Sequence, residues 1–161
     1  MIASVGQAAA PTSNGGLWSN TTTWVEGVLP VYLTTDARLT GGTTTVDDPD
    51  AAAKTVEVGR GATASLDVNA GGTLNANKVN VGTRTGGTGH LTINSGGTVN
   101  SVQKSIIGNS PGSLSTMTIN SGGAWTAGGS LVIGGTSDAL LTMNGGTITQ
   151  NAQLEIGSGS G

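Results

Sequence analysis

A few residues in this chain have types and spacings that could do chemistry. Glu57 and Glu155 stand at the same place in two copies of an apolar-x-apolar-Gly unit, as two carboxyls of a glycosidase would need to face each other. His90 is the single histidine, and the repeat places it beside Ser65, with Asp67 two residues along the same face. That set has the types of a Ser-His-Asp nucleophile system. Asp47-Asp48-Pro49-Asp50 carries hard oxygens suited to calcium. Lys54, Lys78 and Lys104 recur near one corner, with Arg60 and Arg84 beyond the following glycine. Trp18 and Trp24 could stack on sugar rings.

Each grouping also has a plain structural reading. Glu57 and Glu155 are separated by four repeats, which at about 4.8 Å per layer is about 19 Å. That exceeds the roughly 5–9.5 Å of a glycosidase pair. His90 falls on an exposed strand with no pocket evident from sequence, so a solvated side chain is expected. The acidic segment reads as a turn with φ fixed by Pro49. Lysines along a corner discourage lateral aggregation, and paired tryptophans suit the packing of a cap. The nonapeptide calcium-binding pattern Gly-Gly-x-Gly-x-Asp is absent. No enzyme, cofactor or metal is expected.

The elements that position these residues come from a repeat. The first anchor is Val56-Glu57-Val58-Gly59, Val79-Asn80-Val81-Gly82, Ser105-Ile106-Ile107-Gly108, Leu131-Val132-Ile133-Gly134 and Leu154-Glu155-Ile156-Gly157, with glycines 23, 26, 26 and 23 residues apart. The second is Leu66-Asp67-Val68-Asn69, Leu91-Thr92-Ile93-Asn94, Met117-Thr118-Ile119-Asn120 and Leu141-Thr142-Met143-Asn144, each followed closely by a Gly-Gly pair. A third short strand centres on Leu74, Val99, Trp125 and Ile148.

Period-2 alternation turns one face of each strand inward. Val58, Val81, Ile107, Ile133 and Ile156 then form one inward column; Val68, Ile93, Ile119 and Met143 form a second; Leu74, Val99, Trp125 and Ile148 form the third. No single unit can bury its own apolar face, whereas stacked units share a core. The expected fold is all-β: a three-sided right-handed β-solenoid of about four to five coils over residues 31–157, with an N-terminal cap. Asn69, Asn94, Asn120 and Asn144 are expected to form an amide ladder.

Composition agrees. The 161 residues include 29 Gly, no Cys and no Phe, and only 9% are charged. Glycine without a strict period of three or abundant proline excludes collagen, and the low net charge of −3 is unlike a disordered tail. Disulfides and cysteine-rich zinc sites are excluded. Six scattered basic residues argue against nucleic acid as a partner. No apolar run approaches 18 residues, which argues against a membrane-spanning helix. Met1–Ala10 has neither a basic region nor a continuous apolar stretch, so no secretory signal is expected there.

Three segments follow: an arm over 1–14, a cap with a first irregular coil over 15–54, and solenoid repeats over 55–161. The Trp18-Ser19-x-x-x-x-Trp24 opening, Gly27-Val28-x-Pro30 turn, Thr45-Val46-Asp47 approach and repeated Val-Gly and Thr-Ile-Asn-Ser-Gly-Gly units resemble passenger-type, autotransporter-associated β-strand repeat proteins and related phage surface β-helices. The resemblance covers roughly residues 15–157. It implies a surface structural role as a spacer, adhesin or virion part. The expected function is a virion structural protein, a phage capsid decoration (cement) protein assembled on the particle surface from chains made in the host cytoplasm. Alternatives are a tail fibre or spike receptor-binding segment and a bacterial surface adhesin or passenger fragment.

Two features suggest partners. Ile106 and Val132 are aliphatic at the outward position where other repeats carry Glu or Asn, and Leu140 replaces Ser, His or Thr. These three, with Lys78 and Lys104, are the expected interface residues. The final repeat offers one strand, Leu154–Ile156, with nothing resembling the Trp-containing cap beyond it. An uncovered edge invites association, so a homo-oligomer is expected, a trimer in particular, along with virion proteins such as the major capsid protein.

Overall fold

The computed structural model describes residues 10–157. The chain runs through β1 (Thr12–Ser13), β2 (Gly16–Leu17), β3 (Ala37–Leu39), β4 (Thr43–Val46) and the long β5 (Ala51–Arg60). It continues through β6 (Thr63–Val68), the long β7 (Thr73–Thr83), β8 (Thr88–Ile93), β9 (Thr98–Ser101) and β10 (Ser105–Ile107). The last coils hold β11 (Ser115–Asn120), β12 (Ala124–Ala127), β13 (Leu131–Ile133), β14 (Ala139–Asn144), β15 (Thr147–Gln150) and β16 (Leu154–Ile156).

Every strand pairs in parallel with its counterpart one coil away, making a β-solenoid of about six turns. One wall stacks β1-β3-β5-β7-β10-β13-β16, and a second stacks β2-β4-β6-β8-β11-β14. The third joins the starts of β5 and β7 to β9, β12 and β15. The long strands β5 and β7 bend from the third wall into the first. Seven layers at about 4.8 Å make the first wall about 29 Å tall.

The three inward columns stack in the expected register. Val58, Val81, Ile107, Ile133 and Ile156 pair in sequence. Val68, Ile93, Ile119 and Met143 do likewise, as do Leu74, Val99, Trp125 and Ile148. Their inner members are fully buried and form one continuous core. Met143 and Ile156 keep their places but are exposed, because no described strand lies beyond them.

The coil count exceeds the expected four to five, because the stack begins at Thr12 rather than near residue 31. Thr12 pairs with Arg38 and Ser13 with Leu39, so part of the expected arm is already in the first coil. That coil has no third-wall strand. Residues 18–36 take its place and include a short 3-10 turn, Thr21–Thr23, capped by Asn20. Trp18 and Trp24 close the core at this end, edge to face at 5.0 Å between ring centres, and Trp24 Nε1 donates to the Trp18 carbonyl at 3.0 Å.

The corner between the first and second walls needs glycine for a steric reason. Gly59 has φ +69°, and an added Cβ would stand 2.3 Å from the Thr88 carbonyl oxygen of the next coil. Left-handed backbone and close interlayer approach coincide there.

Candidate functional site

The second wall holds the residues with the richest chemistry. Ser65, His90 and Thr116 stack outward in one row, and Asp67, Thr92 and Thr118 in the next. His90 does lie beside Ser65, as the repeat predicts. Its Nδ1, however, shares a 2.8 Å hydrogen bond with Thr116 Oγ1, on the opposite side from Ser65. Asp67 accepts from the Thr92 hydroxyl. Serine, histidine and aspartate are therefore neighbours on a flat sheet, and each of His90 and Asp67 is engaged with a threonine of the following coil. Such rows can satisfy one another's hydrogen bonds. They do not form the serine–histidine–aspartate chain that activates a nucleophile.

Burial pushes the Asp67 carboxyl above its ordinary pKa of 3.8, and the Thr92 hydrogen bond opposes this more weakly. The folded state thus favours the protonated acid more than the unfolded chain does. The stabilising contribution is complete below pH 3.8 and is lost as pH rises through the higher folded-state value. Asp67→Asn should raise the melting temperature at pH 7. Thermal melts of both proteins should converge below pH 3.8, the ordinary value. A variant less stable at pH 7 would show that the charge is useful to the fold.

Glu57 and Glu155 are four layers apart on the first wall, through Asn80, Ile106 and Val132. Glu57 instead lies between two arginines. Arg60 Nε is 2.7 Å and Arg38 Nε 3.5 Å from Glu57 Oε2, as charge contacts whose N–H groups are not aligned for hydrogen bonding. The i,i+3 spacing of Glu57 and Arg60 is legible in sequence. The Arg38 contact is not, because it requires the first coils to be aligned.

The acidic segment is a turn. Asp48 Oδ1 accepts the Asp50 amide at 2.7 Å, and the Asp48 carbonyl accepts the Thr73 amide at 2.9 Å. Among the described residues, no three His, Asp or Glu side chains gather where they could hold a metal ion. Trp18 and Trp24 are both buried, and neither presents a face to a sugar.

The asparagine ladder forms as expected. Asn94 donates to Asn69, Asn120 to Asn94 and Asn144 to Asn120, at 2.8–3.0 Å. A second ladder rung on the third wall, Asn100 to Asn75 at 3.0 Å, has the same origin and is visible in sequence as Leu74-Asn75 and Val99-Asn100.

The expected interface needs correction at Val132. It is only 2% exposed, and Ile106 is half-buried. The two side chains pair between coils, Glu155 pairs with Val132 from the next layer, and the corner after β13 folds over them. A Cβ at Gly135 would lie 2.6 Å from Ile106 Cγ2, which measures how closely that corner covers the pair. Leu140 is 58% exposed and Leu114, which sequence reasoning missed, 59%. Thr116 pairs with Leu140, so Leu114 lies diagonally from it on the same outward face. Lys78 is half-buried and Lys104 exposed. Ile106 pairs with Asn80, so Lys104, two residues earlier, is level with Lys78 at the basic corner.

An open cleft of about 410 Å³ lies between the last corners, lined by Ser113, Ile133, Ser137, Asp138 and Ile156. Ser113 and Ser137 hydroxyls are 2.7 Å apart. Among the described residues, Asp138 is the one titratable side chain lining it. No protein-family model, curated protein or solved structure matches this chain.

Proposed function

We propose that this chain is a non-enzymatic structural protein of a virion surface: a capsid decoration protein that binds the major capsid protein as a homotrimer and stabilises the particle. One observation carries the reading. The walls hydrogen-bond from coil to coil through stacked asparagines and hydroxyls, while exposed large apolar residues are concentrated on the first coil. Leu17 and residues 25–33 carry them there, with Val102 and Leu114 exposed singly farther along the stack. A molecule built this way attaches to a partner through that coil. The resemblance of its repeats to surface β-helices supports the same role.

The test is removal and return. Particles made without the chain should release their genome at a temperature about 10 °C lower, comparable to the loss of a few kcal/mol of ligand-linked stability. Added purified protein should restore it. Purified particles that lack the chain in the wild type, or that are unchanged by its deletion, would contradict the proposal. So would cleavage of a glycan that is abolished by Glu57→Gln or Asp67→Asn.

A further inference from the structure

We propose that copies of this chain associate through the first-coil loop, residues 25–33. This names the surface behind the homo-oligomer proposed above and rests on that part of the reading. Val25, Val28, Leu29, Val31, Tyr32 and Leu33 are 37–68% exposed. At roughly 200 Å² for a fully exposed large residue, these fractions amount to about 600 Å² of exposed surface, backbone included. Its apolar part falls within the range of the largest patches on ordinary monomers, about 300–600 Å². With flanking polar residues it approaches the ~800 Å² each partner contributes to a standard interface.

The loop is also held in shape. Val25 N donates to the Thr12 carbonyl at 2.8 Å, and Lys54 N to the Thr35 carbonyl at 2.7 Å, fixing both ends to the solenoid. Between them, Thr34 N and Thr35 N both donate to the Val31 carbonyl, and Val31 N donates to Thr35 Oγ1 at 2.6 Å. Leu33 adopts φ +65°, a left-handed conformation that is unfavourable for a large non-glycine residue. A closed turn that displays Val31, Tyr32 and Leu33 is prepared for a partner and loses little freedom on binding.

Charge selects a second copy as that partner. No Lys or Arg occurs in residues 1–37, and Glu26 lies within the loop and Asp36 just after it, so an anionic lipid surface is repelled. Exposed Glu26 and Lys54 give the rim both signs. An identical copy therefore supplies the complementary set, and cyclic closure lets one patch per chain serve the whole oligomer.

The experiment is native mass and light scattering across the micromolar range. The wild type should be a dimer or trimer, and Val28→Asp/Val31→Asp should weaken association by at least ~100-fold. Its circular dichroism and melting should be retained, because neither side chain is in the core. Should that variant lose its β signal, Leu33→Asn, which suits the left-handed φ and removes an apolar tip, gives the same reading. A monomeric wild type overturns the inference. So does an oligomer that survives these substitutions, or one lost only on Leu154→Asp/Ile156→Asp. Flotation of the wild type with phosphatidylcholine vesicles, in place of self-association, also overturns it. Particle binding is scored separately, so a monomer that still decorates particles removes this surface and leaves the decoration role standing.

Discussion

Trp125→Ala is expected to destabilise the protein by about 3–5 kcal/mol, the usual cost of emptying a large buried aromatic site. For a chain of this length that lowers the melting temperature by on the order of 10 °C. Trp125 is fully buried between Val99 and Ile148, and its Nε1 donates to Ser101 Oγ at 2.9 Å. Truncation opens a cavity and leaves the buried Ser101 hydroxyl without that donor. Because each coil contacts only its neighbours, the damage should be local at first. Hydrogen exchange should show β9 and β15 losing protection before β5 and β6 do. Uniform loss along the stack would contradict the layer-by-layer picture. Trp125→Phe should recover most of the stability by refilling the volume.

Gly59→Ala is expected to do more harm for fewer atoms. The new methyl would stand 2.3 Å from the Thr88 oxygen and 2.4 Å from its carbonyl carbon, both backbone. Neither can turn aside without displacing the start of β8. Gly61 supplies the control, since its φ of +71° is equally left-handed but a Cβ there meets nothing within 4 Å. Gly61→Ala should cost about 1–2 kcal/mol, the conformational penalty alone. Gly59→Ala should exceed about 4 kcal/mol, in the range reached only by a few severe mechanisms. Equal effects in denaturant melts would mean that the interlayer contact at Gly59 is looser than the packing implies.

The repeat was legible wherever a column carried both an apolar residue and a punctuating glycine or asparagine. Val58 through Ile156, Val68 through Met143 and Leu74 through Ile148 are such columns, and the asparagine ladder follows from their spacing. The first coils were harder to read. Thr12–Ser13 and Ala37–Leu39 lack the apolar-x-apolar-Gly unit, and Ala51–Ala53 forms its strand from alanines with weak β-propensity. Only tertiary pairing places them. Alternation also correctly set Ile106 and Val132 on the outward side, but it says nothing about whether a corner folds back over them. The return of Gly134–Thr136, secured by Thr136 N donating to the Gly108 carbonyl at 2.9 Å, covers that side. Pro30–Thr34 reads in sequence as a short strand, whereas the structure closes it into a turn on the Val31 carbonyl, because the first coil has no third-wall strand and the repeat, starting later, does not reveal that.

In the proposed role the walls and the first coil divide the molecule's work: stacked polar rows hold the coils together, and the apolar surface of the first coil attaches to partners. Electron cryomicroscopy of virions carrying the chain tests that division most directly. The account predicts symmetric clusters of rods about 29 Å tall, seated on the capsid by their ends, with the 25–33 loops meeting at each local axis. Particles without such density, or rods lying flat with a ladder wall against the capsid, would contradict it.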